Sequence, residues 1–216
     1  MTLDLVVPQE SGDEARLAAL TVLAQQVREL VDAVVLTDVP EDEVTAVTAE
    51  IVALADRLNA TRRATPLPHE FGPDGRFRHL GNAVTGEANP HALPLVIERT
   101  ADGVSRAEVT FRPAHEGPPG SVHGGVSAMI LDHLLGDAVA TSGRPSVTGT
   151  LSIRYRQPVP YGEPLVASAA VSRGEGRKTW ADGAIVSSEG KTLVEATALF
   201  ITPAQWMDGY QPTENG

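Results

Sequence analysis

Residues 117–140, GPPGSVHGGVSAMILDHLLGDAVA, decide how this chain is read. Turn formers and two adjacent glycines lead into an apolar run, VSAMILDHLL, which predicts a helix. That helix is apolar on nearly every side, so it is expected to be enclosed by the rest of its domain. Asp132 sits in the middle of it. A carboxylate there resists ionisation unless it is hydrogen-bonded or paired, so its presence asks for a chemical reason.

Strand patterns flank the helix on both sides. Before it, ALPLVIERT and VSRAEVTFRP are separated by ADG, a hairpin signal. After it come SVTGTLSIRYRQPV, PLVASAAVSR, TWADGAIVSS and TLVEATALFIT, joined by YGE, GEGRK and EGK. In the first of these, Val147, Gly149, Leu151, Ile153 and Tyr155 alternate with Thr148, Thr150, Ser152 and Arg154, as in a half-buried strand. Thr148, Thr150 and Ser152 thus share one face. Two strands, one helix and four strands predict an α+β domain, an antiparallel sheet wrapped around a single helix.

Farther upstream the period changes. Leu17, Leu20, Ala24, Val27, Val31 and Val34 recur at three- and four-residue steps, predicting a helix over 13–35, with Ser11 and Glu14 as a capping box. A second helix carries Val44, Val47, Ile51, Leu54 and Leu58, with Asp38 and Glu41 at its start. TDVPED between them predicts an antiparallel hairpin. Its stripes read as packing surfaces against the rest of the protein or another copy. Residues 63–91 are rich in Gly and Pro and read as a long connection, of the kind that covers binding sites.

Composition bounds the function. The chain has 216 residues, 42% hydrophobic, with a net charge of -11, which fits a packed domain and disfavours nucleic acid or an anionic membrane as partner. The absence of cysteine excludes disulfides, thiolate zinc sites and a cysteine nucleophile. The start MTLDLVVPQESGDE lacks a signal-peptide pattern and no run is long enough to span a bilayer, so a cytoplasmic location is expected. Between Arg144 and Lys178 six basic residues face two acidic ones, a segment suited to an anionic small ligand or to ordinary strand-surface charge. The six histidines show no metal-ligand spacing, GEGRKT lacks P-loop spacing, and Trp180, Trp206 and Phe200 are expected to pack.

FRPAHEGPPGSVHGG, the apolar helix with its Asp eight residues after Gly124, and SVTGTLSIRYRQPVP together resemble the hotdog-fold thioesterases. The nearest branch is the PaaI-like and mammalian thioesterase-superfamily group. The likeness spans residues 83–203 and is most specific through 111–160. It divides the chain into a helical extension (1–66), a connection (67–90), a hotdog domain (91–203) and a tail (204–216). It implies an acyl-coenzyme A thioesterase that needs no cofactor or metal, coenzyme A being part of the substrate. Asp132 is then general base or nucleophile, and Thr148 its assistant, chosen over Thr150 and Ser152 on the resemblance alone. His123 is expected to orient the glycine turn, with contact to the thioester as the alternative.

The residues themselves support that chemistry. A helix start offers unpaired N–H groups and partial positive charge, so Gly124 and Gly125 suit a thioester carbonyl oxygen that gains charge on attack. Asp132 lies eight residues beyond Gly124, about 12 Å along the axis. One carbonyl cannot reach both within a single copy, which predicts a two-fold dimer with two shared sites. The resemblance implies the same dimer, often paired into a tetramer. Asn89 in ANPHA, His115, Gly117, Arg156, Arg177 and Lys178 are the expected substrate and coenzyme A contacts, the last two reaching phosphates. Some relatives carry Asn at the place of Gly117. A non-catalytic acyl-thioester binder and a hydratase on the same fold are the competing readings.

Overall fold

A computed structural model describes residues 14–67, 69–71, 77–143 and 146–204. The chain forms two compact units, residues 1–92 and 93–216.

In the first unit, helix α1 (Glu14–Leu36) and helix α2 (Glu41–Asn59) are followed by a short antiparallel ribbon, β1 (His69–Phe71) with β2 (Phe77–His79). Ser11 lies outside the described residues, so its expected cap does too. The expected start of α2 is corrected. Pro40 occupies the N-cap with no side-chain hydrogen bond, and Asp38 stands outside the helix. Proline's fixed φ suits this boundary, and Glu41, Asp42 and Glu43 supply the first-turn negative charge instead. The expected hairpin does not seal its apolar stripes, because α2 buries no residue at all.

The connection is more built than its composition suggests. Arg28, buried on α1, donates to the carbonyls of Ala92 (2.9 Å), Glu87 (2.9 Å) and Asn89 (2.7 Å). Asn82 Oδ1 accepts from the Val84 and Thr85 N–H groups, closing the preceding turn. A guanidinium fork satisfies several carbonyls at once, and that fixes residues 86–92 against α1.

The second unit holds a fully antiparallel six-stranded sheet in the order β3-β4-β6-β7-β8-β5. Its strands are β3 (Glu98–Arg99), β4 (Val104–Thr110), β5 (Val147–Tyr155), β6 (Pro164–Glu175), β7 (Lys178–Ser187) and β8 (Thr192–Ile201). The first strand is only two residues long. Pro94 cannot donate to a ladder, and ALPLV runs free of the sheet. Helix α3 (Gly124–Thr141) leaves from the β4 side and returns the chain to β5 at the opposite edge.

Small residues let α3 lie close on the sheet. Ala167, Ala169, Ala181, Ala196 and Ala198 are buried, and a Cβ on Gly183 would come 3.3 Å from Leu135 Cδ2. The buried face of α3 is Ser127, Ile130, Leu131, Leu134, Leu135, Ala138 and Val139. The expectation of a helix enclosed all round is therefore corrected. One sheet covers one face, and Met129, Asp132 and His133 on the other remain half-buried in the single chain.

The alternation expected for β5 is also corrected. Thr148 pairs with Phe200 and Thr150 with Leu199, so the register slips at Gly149. Phe200, Ala198, Ala196 and Val194 are buried on the helix side of β8. Their partners Thr148, Leu151, Ile153 and Tyr155 thus share the helix-facing side of β5, while Thr150, Ser152 and Arg154 face away. A β-bulge has re-aimed one hydroxyl.

Candidate active site

The helix start is assembled by the segment before it. Pro113–His115 form one turn of 3-10 helix, where His115 Nδ1 accepts from the Arg112 N–H (3.0 Å). The His115 carbonyl takes the His123 N–H (2.8 Å), and the Gly117 N–H donates to Ser121 O (2.8 Å). The loop is thereby folded back on itself beneath the helix. Gly117 is required there, since a Cβ would lie 2.6 Å from His123 Cα. An Asn at this place has no room in this chain.

His123 is the N-cap of α3, its Nδ1 accepting from the Gly125 N–H at 3.0 Å. The Val126 N–H turns back to the His123 carbonyl (2.9 Å). Gly124, the first helical residue, comes before any intrahelical acceptor exists. Of the two expected carbonyl donors, then, Gly125 is engaged by the imidazole. Tyr155 closes the site from β5. Its hydroxyl donates to Gly124 O (2.9 Å), and its ring fills the space that a Cβ on Gly124 would take. The sequence pattern gave Tyr155 only as one residue of an alternating strand. The signal available was its helix-facing position at the end of the strand.

Asp132 lies two turns along α3. The Thr148 hydroxyl donates to Asp132 Oδ1 at 3.0 Å, across from the helix to the bulged end of β5. Helix and strand run antiparallel here, so Gly124 meets Tyr155 at one end of β5 while Asp132 meets Thr148 at the other. The structure brings Asp132 to Thr148, and His123 to Gly124 and Gly125. It does not bring the two groups together within one chain.

The remaining expected contacts are distributed as follows. Arg156 is paired with Glu195 through two hydrogen bonds (2.8 and 3.0 Å). Arg177 lies in the tight β6–β7 turn, its backbone carbonyl accepting from the Thr202 N–H (2.9 Å). Lys178 opens β7 in register with Ile201, next to Val147, and so stands at the Thr148 end of the sheet. Asn89 belongs to the first unit. Its side chain accepts from the His91 N–H (3.0 Å) and donates to Gly81 O (3.1 Å), which holds a turn. Trp180 is covered by the Arg173 guanidinium, 3.7 Å from the ring centroid. Trp206 lies outside the described residues.

A second carboxylate on α3 escaped the sequence reading. Asp137 accepts from Ser105 (2.6 Å) and from Arg99 Nε (3.1 Å), tying the helix to β3 and β4. Burial pushes its pKa up. Hydrogen bonds from Arg99 and Ser105, with the charges of Arg99 and His133, outweigh that and hold it below the usual carboxylate value. Its clue was a second Asp five residues after the first, about 140° round the helix and so aimed at the opposite edge. Among the described residues no cluster of metal-ligating side chains occurs, and no helix is long and apolar enough to cross a membrane.

An antiparallel sheet laid on one helix, with a glycine helix start and an acid–hydroxyl pair, is the hotdog architecture. A family model described as the thioesterase superfamily matches residues 119–195. A solved structure described as a thioesterase superfamily protein is 34% identical, with a TM-score of 0.75, over 90% of this chain and 97% of that one. The chain belongs to the thioesterase superfamily. Among curated relatives, mouse acyl-coenzyme A thioesterase THEM4 is 40% identical over 87 residues, 40% of this chain and 37% of the relative. The Xenopus laevis protein of the same name is 37% identical over 90 residues, 41% of this chain and 40% of the relative. The chain thus matches well under half the length of those two proteins.

Proposed function

We propose that this protein hydrolyses an acyl-coenzyme A thioester to a free acid and coenzyme A. The observation that carries the reading is the Thr148 hydroxyl held 3.0 Å from Asp132 on the uncovered face of α3. Membership of the superfamily and the names of the curated relatives support it.

In this reading the carbonyl oxygen sits at the α3 start and draws on the Gly124 N–H, and on the Gly125 N–H once it displaces His123 Nδ1. Charge developing on that oxygen is met by oriented dipoles. Asp132 of a second copy, about 12 Å too far along the helix in the same copy, either takes a proton from water or attacks the carbonyl carbon. Thr148 orients the carboxylate through its hydroxyl. A partner's α3 packed antiparallel would cover the half-buried face and complete two equivalent sites. Arg177 and Lys178 bind the coenzyme A phosphates.

The test is thiol release from a panel of acyl- and aryl-coenzyme A thioesters, wild type beside Asp132→Asn. The chain has no cysteine, so a thiol reagent reports product alone. Turnover is expected to fall about a hundredfold or more in the variant, the range of a lost acid–base group. Binding without turnover on any member would replace the hydrolase reading with an acyl-thioester binder. Single turnover in isotope-labelled water separates the two roles of Asp132, since label enters its carboxylate only if it attacks.

A further inference from the structure

Helix α2 carries Val44, Val47, Ile51, Leu54 and Leu58, a strict three-four-three-four spacing. That is the narrow seam of a two-helix coiled coil, not the wider stripe of a helix laid on a globular core. Among the described residues the seam is not buried. Leu54 is 50% and Leu58 57% exposed, and no residue of α2 is buried. Its charges are unevenly spread. Glu41, Asp42 and Glu43 open the helix, Glu50 lies at its middle, Asp56 and Arg57 stand together in its last turn, and Arg62 and Arg63 follow just past its end.

We propose that α2 pairs antiparallel with α2 of a second copy of this chain, around a two-fold axis between Ile51 and Leu54. In that register Ile51 lies opposite Leu54 and Val47 opposite Leu58 of the second copy, and the acidic first turn faces the stretch that carries Arg62 and Arg63. Helix dipoles oppose one another as well. A parallel pairing would stack the acids on acids and the arginines on arginines, so charge selects the antiparallel arrangement more than it adds affinity. The seam is self-complementary, as a two-fold contact must be. This inference is independent of the thioesterase reading, because no residue of α2 belongs to that site.

The test uses the full chain, whose lack of cysteine makes any introduced thiol unique. Ile51→Cys and Glu43→Cys are treated separately with a short bis-maleimide. Antiparallel pairing puts the two copies of residue 51 about 5 Å apart along the axis and the two copies of residue 43 about 28 Å apart. Efficient linking of Ile51→Cys, with none for Glu43→Cys, is the expected result. Linking of both would overturn the antiparallel pair, and linking of neither would overturn self-association through α2. As a second readout, Leu54→Glu combined with Ile51→Cys should cut the linked fraction at least tenfold with an unchanged melting curve. An unchanged linked fraction in that variant would also overturn the proposal.

Discussion

At the scale of single residues, the proposed function can be tested on one hydroxyl and one missing side chain. Thr148→Val keeps the shape and removes the hydroxyl that β5 donates to Asp132. Turnover is expected to drop about ten- to a hundredfold, less than for Asp132→Asn, as suits a group that orients the acid. The KM should change little. Gly117→Asn tests the other point. Its Cβ would overlap His123 Cα at 2.6 Å, so the variant should lose about 1–3 kcal/mol in chemical denaturation and gain no activity. The hydrogen bond from Thr148 to Asp132 was expected, yet the reason offered for preferring Thr148 was not the physical one. Simple alternation put Thr150 and Ser152 on the same face as Thr148. The slip at Gly149 that separates them depends on pairing with β8, about fifty residues on, and such a long-range pairing leaves no local mark.

At the scale of elements, α3 is pinned on two sides, by Thr148 at β5 and by Ser105 and Arg99 at β4 and β3. The second pin is pH-dependent with a definite sign. The folded pKa of Asp137 lies below its unfolded value of about 3.9, so the stabilisation is complete above that value. It is lost as the pH falls through the folded pKa. Wild type should therefore show a fall in thermal stability below about pH 4. Asp137→Asn should be less stable at pH 7 and have a flatter acid limb, which differential scanning at several pH values will read. A variant as stable as wild type at pH 7 would remove Asp137 from this role. Elements were the most legible level. A continuous apolar run after two glycines and short alternating runs between glycine turns reveal α3 and the last four strands. The two-residue β3 and the cap of α2 were misread, because a proline overrode the apolar count in one case and the acidic cap signal in the other.

At the scale of the whole molecule, the chain is two units with different kinds of cohesion. The second is held by alanine-lined packing under α3, whereas the described loop of the first hangs on a buried arginine. Arg28→Leu would leave carbonyls at 87, 89 and 92 without their donor, at a cost of about 1–3 kcal/mol for each one that stays buried. Hydrogen exchange at residues 82–92 should then speed up by tenfold or more, while the amides of β6 and β7 keep their protection. Equal loss of protection in both units would show a single cooperative fold instead. None of this was visible beforehand, since a guanidinium reaching carbonyls some sixty positions away gives no pattern along the chain.

The bulge at Gly149 also sets a rule of parity. Thr148 and Tyr155 are an odd number of positions apart, yet they share a face, because one residue between them is uncounted by the ladder. A chain of the same fold without that extra residue must carry its hydroxyl an even number of positions from the tyrosine, six instead of seven, to reach the same carboxylate. Two such chains would look unlike at the site when matched letter by letter, and alike once the strand is counted by its phase. The spacing of the motif is thus a property of the hydrogen-bond ladder, and only secondarily of the text that encodes it.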